Sequence, residues 1–301
     1  MAPIPPLETI LFRSERLTIG RFHAAPDHPD FHDSGPIHNS VFVFPRTAVR
    51  IQHLGSEPFV ADPNLVTYYN RGQEYRRTAV DSRGDHCEWF AVEPAALAAA
   101  VDRFERRRRP ERPFAFREAP SDAKAYLLQR LVVRHLGEET APDRLLVEES
   151  VERILERLMN VAYRRGSARD EPAARPARRH WVGEVSQAIC ERLDENLSLH
   201  DLARRCGVSA FYLCRAFRAE TGDTIHRHRT RLRLRSALEW VTEDRGDLTD
   251  IALSFGFSSH SHFTDSFRRE FGIPPSRLRR EGAAALARRL RSQLEPSTLP
   301  G

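Results

Sequence analysis

The chain writes one pattern twice. "SLHDLARRCGVSAFYLCRAFRAETG" runs from Ser198 to Gly222, and "DLTDIALSFGFSSHSHFTDSFRREFG" runs from Asp247 to Gly272. The pairs Asp201/Asp250, Ala203/Ala252 and Gly207/Gly256 share one separation, while Phe217/Phe267 and Gly222/Gly272 are one residue further apart. One residue is therefore inserted between Gly256 and Phe263. A repeat of this kind constrains the fold more tightly than composition does, because each copy is a supersecondary unit that must bury its own apolar face. Two copies are too few for a solenoid, so the pattern predicts a duplicated unit inside one domain.

Each copy has the same punctuation. Ser198 and Asp247, each followed three residues later by an acid, resemble capping boxes that open a short helix. Gly207 and Gly256 end those helices where a left-handed turn is needed. Ser209 and Ser258 are then expected to cap a longer helix. Helix, glycine turn and helix is the helix-turn-helix arrangement. In the longer helices Leu213 and Phe217, and then Phe263, Phe267 and Phe271, have core spacing. At 100° per residue the opposite face carries Phe211, Arg215 and Arg218 in the first copy and Ser261, Asp265 and Arg268 in the second. Cys214 and Thr264 flank those faces, and His260 lies in the first turn. Residues so placed suit a helix lying in a major groove. Arg215 can reach the O6 and N7 of a guanine, Asp265 can accept from a cytosine N4, and Phe211 can meet a thymine methyl.

The charge agrees with this placement. The net charge is +5, and from Pro176 onward arginines exceed carboxylates by that whole amount, while the preceding residues cancel. A polyanion is thus the expected partner of the C-terminal part. A length of 301 residues leaves room for two domains. No apolar run approaches the roughly 18 residues that a membrane-spanning helix needs. "MAPIPPLETI" lacks the basic and apolar segments of a signal peptide, so a cytoplasmic protein is expected. Cys87, Cys190, Cys206 and Cys214 show no CxxC spacing, which argues against a structural zinc cluster or a disulfide framework.

The front of the chain has a different rhythm. From Leu7 to about Val92, runs such as "VFVF" (Val41–Phe44), "VRIQHL" (Val49–Leu54), "PFVAD" and "LVTYYN" alternate with Gly, Pro, Asn and Asp, as strands of an antiparallel barrel or sandwich would. Two helices are expected next, around "GEETAPD", with Leu146, Val147, Val151, Ile154, Leu155, Leu158 and Val161 at helical spacing. These stripes exceed what one flank of a barrel covers, so the helices are expected to dimerise. "FERRRRPER" (Phe104–Arg112) reads as an exposed charged segment, "RGSARDEPAARPARR" (Arg165–Arg179) as a linker, and "EPSTLPG" as a tail.

From about Arg179 to Arg280 the chain resembles the DNA-binding region of the AraC/XylS family of bacterial transcription regulators. The second unit carries the resemblance on Ile251, Ala252, Gly256, Phe257, Ser259, Phe263, Phe267, Arg268, Phe271, Gly272, Pro274, Pro275 and Arg277. The resemblance implies one long helix joining the units, here Thr224 to Val241. His228 and Arg229 stand where family members commonly have Tyr and an aliphatic residue, and Asp265 stands where a basic residue is frequent. It also implies a cupin-like β-barrel that binds a small-molecule effector, followed by dimerisation helices.

The expected fold is therefore α+β with two domains. Residues 1–95 form a cupin-like effector-binding domain, 96–165 a helical dimerisation segment, 166–178 a linker, 179–281 a double helix-turn-helix domain, and 282–301 a C-terminal tail. The expected function is sequence-specific, effector-responsive regulation of transcription, as an activator or a repressor. Double-stranded promoter DNA, an unidentified effector, RNA polymerase and a second copy of the chain are the partners, with no membrane and no cofactor. The expected DNA-binding residues are Phe211, Cys214, Arg215, Arg218, His260, Ser261, Thr264, Asp265 and Arg268. The rival is a metal-binding cupin-type enzyme or metal sensor using some of His23, His28, His32, His38, His53 and His86 with Cys87. "HPDFHDSGPIH" lacks the tight H-x-H pair such a site needs, and no HExxH, GxSxG or phosphate loop occurs. No catalytic residue and no metal ligand is assigned.

Overall fold

The computed structural model describes residues 7–104, 111–167 and 175–294. They group into two compact units, one built mainly of residues up to Gly166 together with those from Ala283 onward, the other mainly of Ser167–Gly282. The segment Phe104–Arg112 lies largely outside the described residues, as do part of the expected linker and the closing "EPSTLPG".

The first unit begins with strands β1 (Glu8–Arg13), β2 (Leu17–Ala24), β3 (Asp33–Ser34), β4 (Val41–Pro45), β5 (Val49–His53), β6 (Phe59–Ala61), β7 (Leu65–Tyr69), β8 (Tyr75–Ala79) and β9 (Asp85–Val92). Helix α1 (Pro94–Asp102), strand β10 (Glu118–Pro120) and helices α2 (Ala123–Glu138) and α3 (Arg144–Ser167) follow. The strands form a six-stranded sheet in the order β1-β2-β9-β4-β7-β10 and a four-stranded sheet in the order β3-β8-β5-β6, and every pair is antiparallel. Among the described residues no ladder joins the two sheets. Two antiparallel sheets fit the barrel or sandwich expected from the strand rhythm, and they are not closed into the cupin-like barrel that the resemblance implies.

Strand β4 shows how the core is divided. Its five residues are all buried, a pattern expected of a strand covered on both faces. Val41 and Val43 join Val49, Ile51, Phe59 and Ala61 in the core between the sheets. Phe42 and Phe44 point the other way, with Phe42 stacked on Phe90 at 5.2 Å and Phe44 against Tyr126 of α2 at 6.1 Å. Below that layer Glu88 is fully buried. It accepts from Arg46 at 3.0 Å, Arg130 at 3.1 Å and Gln129 at 3.2 Å, which ties α2 to β9. Removing one such partner strands a buried charge.

The stripe on α3 is used inside this unit. Leu146, Val147, Val151, Ile154, Leu155 and Leu158 are all at most 2% exposed, so their periodicity reports intramolecular packing rather than a bare pairing face. The C-terminal stretch also differs from the expected tail. Ala283–Ser292 is a helix, and its Ala283, Leu286, Ala287 and Leu290 are buried in the first unit. Arg288 pairs with Asp143 at 2.7 Å and Arg291 with Glu149.

The second unit is helical: α4 (Arg175–Glu191), α5 (Leu199–Arg205), α6 (Ala210–Thr221), α7 (Ile225–Thr242), α8 (Leu248–Ser254), α9 (His260–Phe271) and α10 (Pro275–Arg280), after which the Ala283–Ser292 helix is α11. Helix α4 starts inside the expected linker, at Arg175. No helix among the described residues is long and apolar enough to cross a membrane.

Candidate nucleic-acid interface

The two repeats fold as two helix-turn-helix units, α5 with α6 and α8 with α9. Ser198 caps α5 by accepting from the amide of Asp201, and Asp247 caps α8 by accepting from that of Thr249. These hydrogen bonds hold the Asp247 carboxyl below the usual carboxylate range, and a bond from Ser198 does the same for Asp201. Gly207 and Gly256 have φ of 67° and 72°, the left-handed conformation that lets the chain reverse. Ser209 caps α6, as expected, through the amide of Tyr212 at 3.2 Å. The cap of α9 is Ser259 and not Ser258: Ser259 accepts from the His262 amide, while the Ser258 hydroxyl meets the His262 ring at 3.1 Å. The inserted residue moves the cap by one position, so the α8–α9 turn is one residue longer than its counterpart.

Both second helices bury the residues the spacing assigned to the core. Leu213 and Phe217 pack with Val185, Ile189, Leu202 and Leu232. Phe257, Phe263, Phe267 and Phe271 form a ladder of edge-to-face rings 4.7–5.5 Å apart. The opposite faces are open. Phe211, Cys214, Arg215 and Arg218 on α6 are exposed, and so are His260, Ser261, Asp265 and Arg268 on α9, with Thr264 half-buried. Phe211 is 73% exposed, far beyond what packing requires of a large apolar ring, and the Arg215 guanidinium lies 5.7 Å from its centroid. Thr264 approaches the His260 ring at 3.5 Å. Tyr212 and His262, next to these positions, are exposed as well and were not singled out by face. Tyr212 leans edge-on against Trp181 at 5.4 Å and His262 against Phe257, which orients both rings.

The linking helix α7 fixes the two faces to each other. Arg231 pairs with Asp223, just past the end of α6, at 2.5 Å and with Glu270, in the last turn of α9, at 3.0 Å. Arg233, on the other side of α7, donates to the carbonyls of Leu193, Glu195 and Gly256 at 2.7, 2.8 and 2.8 Å. One guanidinium thus caps the loop before α5 and the turn before α9 together. Burial, helped by nearby Arg229, lowers the Arg233 pKa to about 10. His228, where the family commonly has Tyr, is buried with its ring edge-on to Phe217 at 5.3 Å, so an aromatic ring still fills that turn. Sequence reading missed Arg231, Arg233 and Glu270 because their partners lie far along the chain. Their only signal was the crowding of arginines in "RHRTRLRLR" on a helix that buries two of them, Arg233 and Arg235.

In the first unit the histidines named for a metal site are spread over both sheets and their loops. His23 and His86 face each other with ring centroids 3.7 Å apart. His53 stacks on Tyr69 at 5.1 Å, and burial holds its pKa at about 4, so the ring is neutral. Among the described residues no three His, Cys, Asp or Glu side chains converge as a metal set.

Two capped helix-turn-helix units with open polar faces, joined by one helix, define a tandem helix-turn-helix domain. A family model described as a helix-turn-helix domain matches residues 202–281. SoxS of Salmonella typhimurium is 38% identical over 92 residues, 30% of this chain and 85% of that protein. The activator RhaS of Escherichia fergusonii is 37% identical over 92 residues, 31% of this chain but 33% of RhaS. The MtrA regulator of Neisseria gonorrhoeae is 24% identical over 101 residues, and the match spans 34% of its length. Among solved structures, an AraC-type regulator from Chromobacterium violaceum is 27% identical with a TM-score of 0.31, covering 40% of this chain and 96% of that one. Apo ToxT from Vibrio cholerae aligns over 88% of this chain and 97% of its own, at 9% identity and a TM-score of 0.40. The chain belongs to the AraC/XylS family of bacterial transcription regulators.

Proposed function

We propose that the protein is a sequence-specific regulator of transcription, with α6 and α9 as its two recognition helices. The observation that carries this reading is the pair of exposed faces, Phe211, Cys214, Arg215 and Arg218 on α6 and His260, Ser261, Thr264, Asp265 and Arg268 on α9, held on one scaffold by Arg231. Helices joined by one rigid helix and set about 34 Å apart enter successive major grooves on one side of the duplex. The first unit is the effector-binding part in this proposal, and the protein acts in the cytoplasm without catalysing a reaction of its own. An activator of this kind meets RNA polymerase once bound at its promoter. Pairing of two copies belongs to the same proposal; the apolar stripe of α3 is already covered within one chain, so the pairing face lies elsewhere on the surface.

Neutralising about six phosphates lowers affinity on the order of 10³-fold between 50 and 200 mM salt. Gel shifts of the full chain on its own upstream region should follow that dependence. Binding that ignores salt, or none to any fragment of that region, contradicts the proposal.

A further inference from the structure

A cavity of about 550 Å³ opens between the two sheets of the first unit, within the range that holds drug-sized ligands. Its walls are aromatic and aliphatic, with Phe22, Tyr69, Tyr75 and Trp89 among the lining side chains. Strand β9 supplies one wall by alternation: Asp85, Cys87 and Trp89 point in, while Glu88 points to α2. The Trp89 indole lies flat over its cross-strand partner Gly20, where an added Cβ would come within 2.2 Å of the ring. The wall is therefore set before any ligand arrives.

The polar groups in the cavity are specific. Arg77 is 1% exposed, and its guanidinium sits 4.3 Å from the centroid of Phe22 and 5.2 Å from that of Tyr75. Asp85 accepts from it at 2.9 Å. Burial pushes the Asp85 carboxyl up, and the adjacent guanidinium opposes that push. The buried cation is thus already matched by a buried anion. Among the described residues that line it, two buried donors have no acceptor, the Nε of Arg77 and the Nε1 of Trp89. A buried donor left unsatisfied costs about 1–3 kcal/mol, so a ligand that brings an oxygen to it gains accordingly. At Arg77 a ligand that brings a negative charge meets Asp85 beside it, while Glu8 and Arg13, one group of each sign, also line the cavity.

We propose that this cavity takes an uncharged, ring-bearing small molecule that presents an oxygen acceptor, such as a lactone or a cyclic ketone, and that it rejects carboxylates. The proposal rests on reading the first unit as an effector domain, and it names the chemistry of that effector. The test is calorimetric titration of the full chain with coumarin and with coumarin-3-carboxylate, the same bicycle without and with a charge, and with oleate as a chain carboxylate. Coumarin should bind at least about ten-fold more tightly than either carboxylate. Asp85→Asn unmasks Arg77 and should invert the preference between the two bicycles. Because that variant loses a buried pair, its melting without ligand is measured alongside. Trp89→Phe keeps the wall and removes the indole donor, and it should weaken coumarin several-fold without altering charge discrimination. Equal or tighter binding of a carboxylate by the unaltered chain overturns the proposal. So does the absence of saturable coumarin binding up to the millimolar range, or full coumarin affinity in Trp89→Phe. A gel shift on the same preparation without ligand tests the regulator reading separately: DNA binding without the ligand preference sinks the ligand class alone.

Discussion

The two helix-turn-helix units are copies in what they bury and strangers in what they expose. Leu213 and Phe217 have their counterparts in Phe263 and Phe267, all fully buried. Outward, Phe211 and Arg215 in α6 stand against Ser261 and Asp265 in α9, an apolar ring and a donor against a hydroxyl and an acceptor. Close packing holds the inner face fixed, whereas an outer face that reads base edges, as proposed, is free to diverge. Besides the longer turn of the second, the units differ inside in their support. The turn of the second is clamped by Arg233, and that of the first is not.

The glycines of the two turns break this comparison most sharply. A Cβ at Gly207 meets nothing within 4 Å, so Gly207→Ala should cost only the left-handed conformation, about 1–2 kcal/mol. A Cβ at Gly256 would lie 2.4 Å from the Asp194 carbonyl and 2.6 Å from the Arg233 guanidinium. Gly256→Ala should therefore displace a buried cation and cost about 3–5 kcal/mol. Equilibrium unfolding of the two variants checks this, and equal losses would remove Arg233 as the clamp.

Arg231→Met should come next in size. It touches no proposed base-contacting face, yet it frees the ends of both α6 and α9. Affinity for a two-element site should fall about ten-fold, on the order of 1.4 kcal/mol, with both elements weakened alike. Footprinting that shows loss at one element only would show that the units are not held jointly.

The caps give the smallest effects. Ser209→Ala and Ser259→Ala should each lower stability by about 1 kcal/mol in denaturant melts, and Ser258→Ala should leave it nearly unchanged. A larger loss in Ser258→Ala would return the cap to the position that simple repetition suggests.

That last pair marks where sequence reading stops. The helices of the repeats, the two glycine turns and the buried rings were legible because each follows from local spacing and caps, and the linking helix from Thr224 was legible through the family resemblance. Two adjacent serines, Ser258 and Ser259, are equivalent as letters, and only the longer turn decides between them. The α3 stripe was legible as a stripe but not its partner, since periodicity says that a face is covered and never by what. Helix α11 was missed for a similar reason: Leu286 and Leu290 sit among alanines and arginines beside a Pro- and Ser-containing end, and their packing partners come from near the middle of the chain. Barrel closure and the Arg77–Asp85 pair depend on which strands neighbour one another, which alternation within a strand does not encode.

In the proposed mode of binding, one copy of the chain reads an asymmetric site through two unlike helices. Selection from a random duplex library, run with the unaltered chain and with Arg215→Ala and Asp265→Ala, tests it most directly. The expected consensus has two different sub-elements about one helical turn apart. Arg215→Ala should cost about 1–3 kcal/mol and relax one or two base pairs of a single sub-element. Asp265→Ala should relax the other sub-element while tightening binding overall, as a carboxylate near phosphates is lost. A palindromic consensus, or one that is identical for the unaltered chain and Arg215→Ala, would rule out this division of labour between α6 and α9.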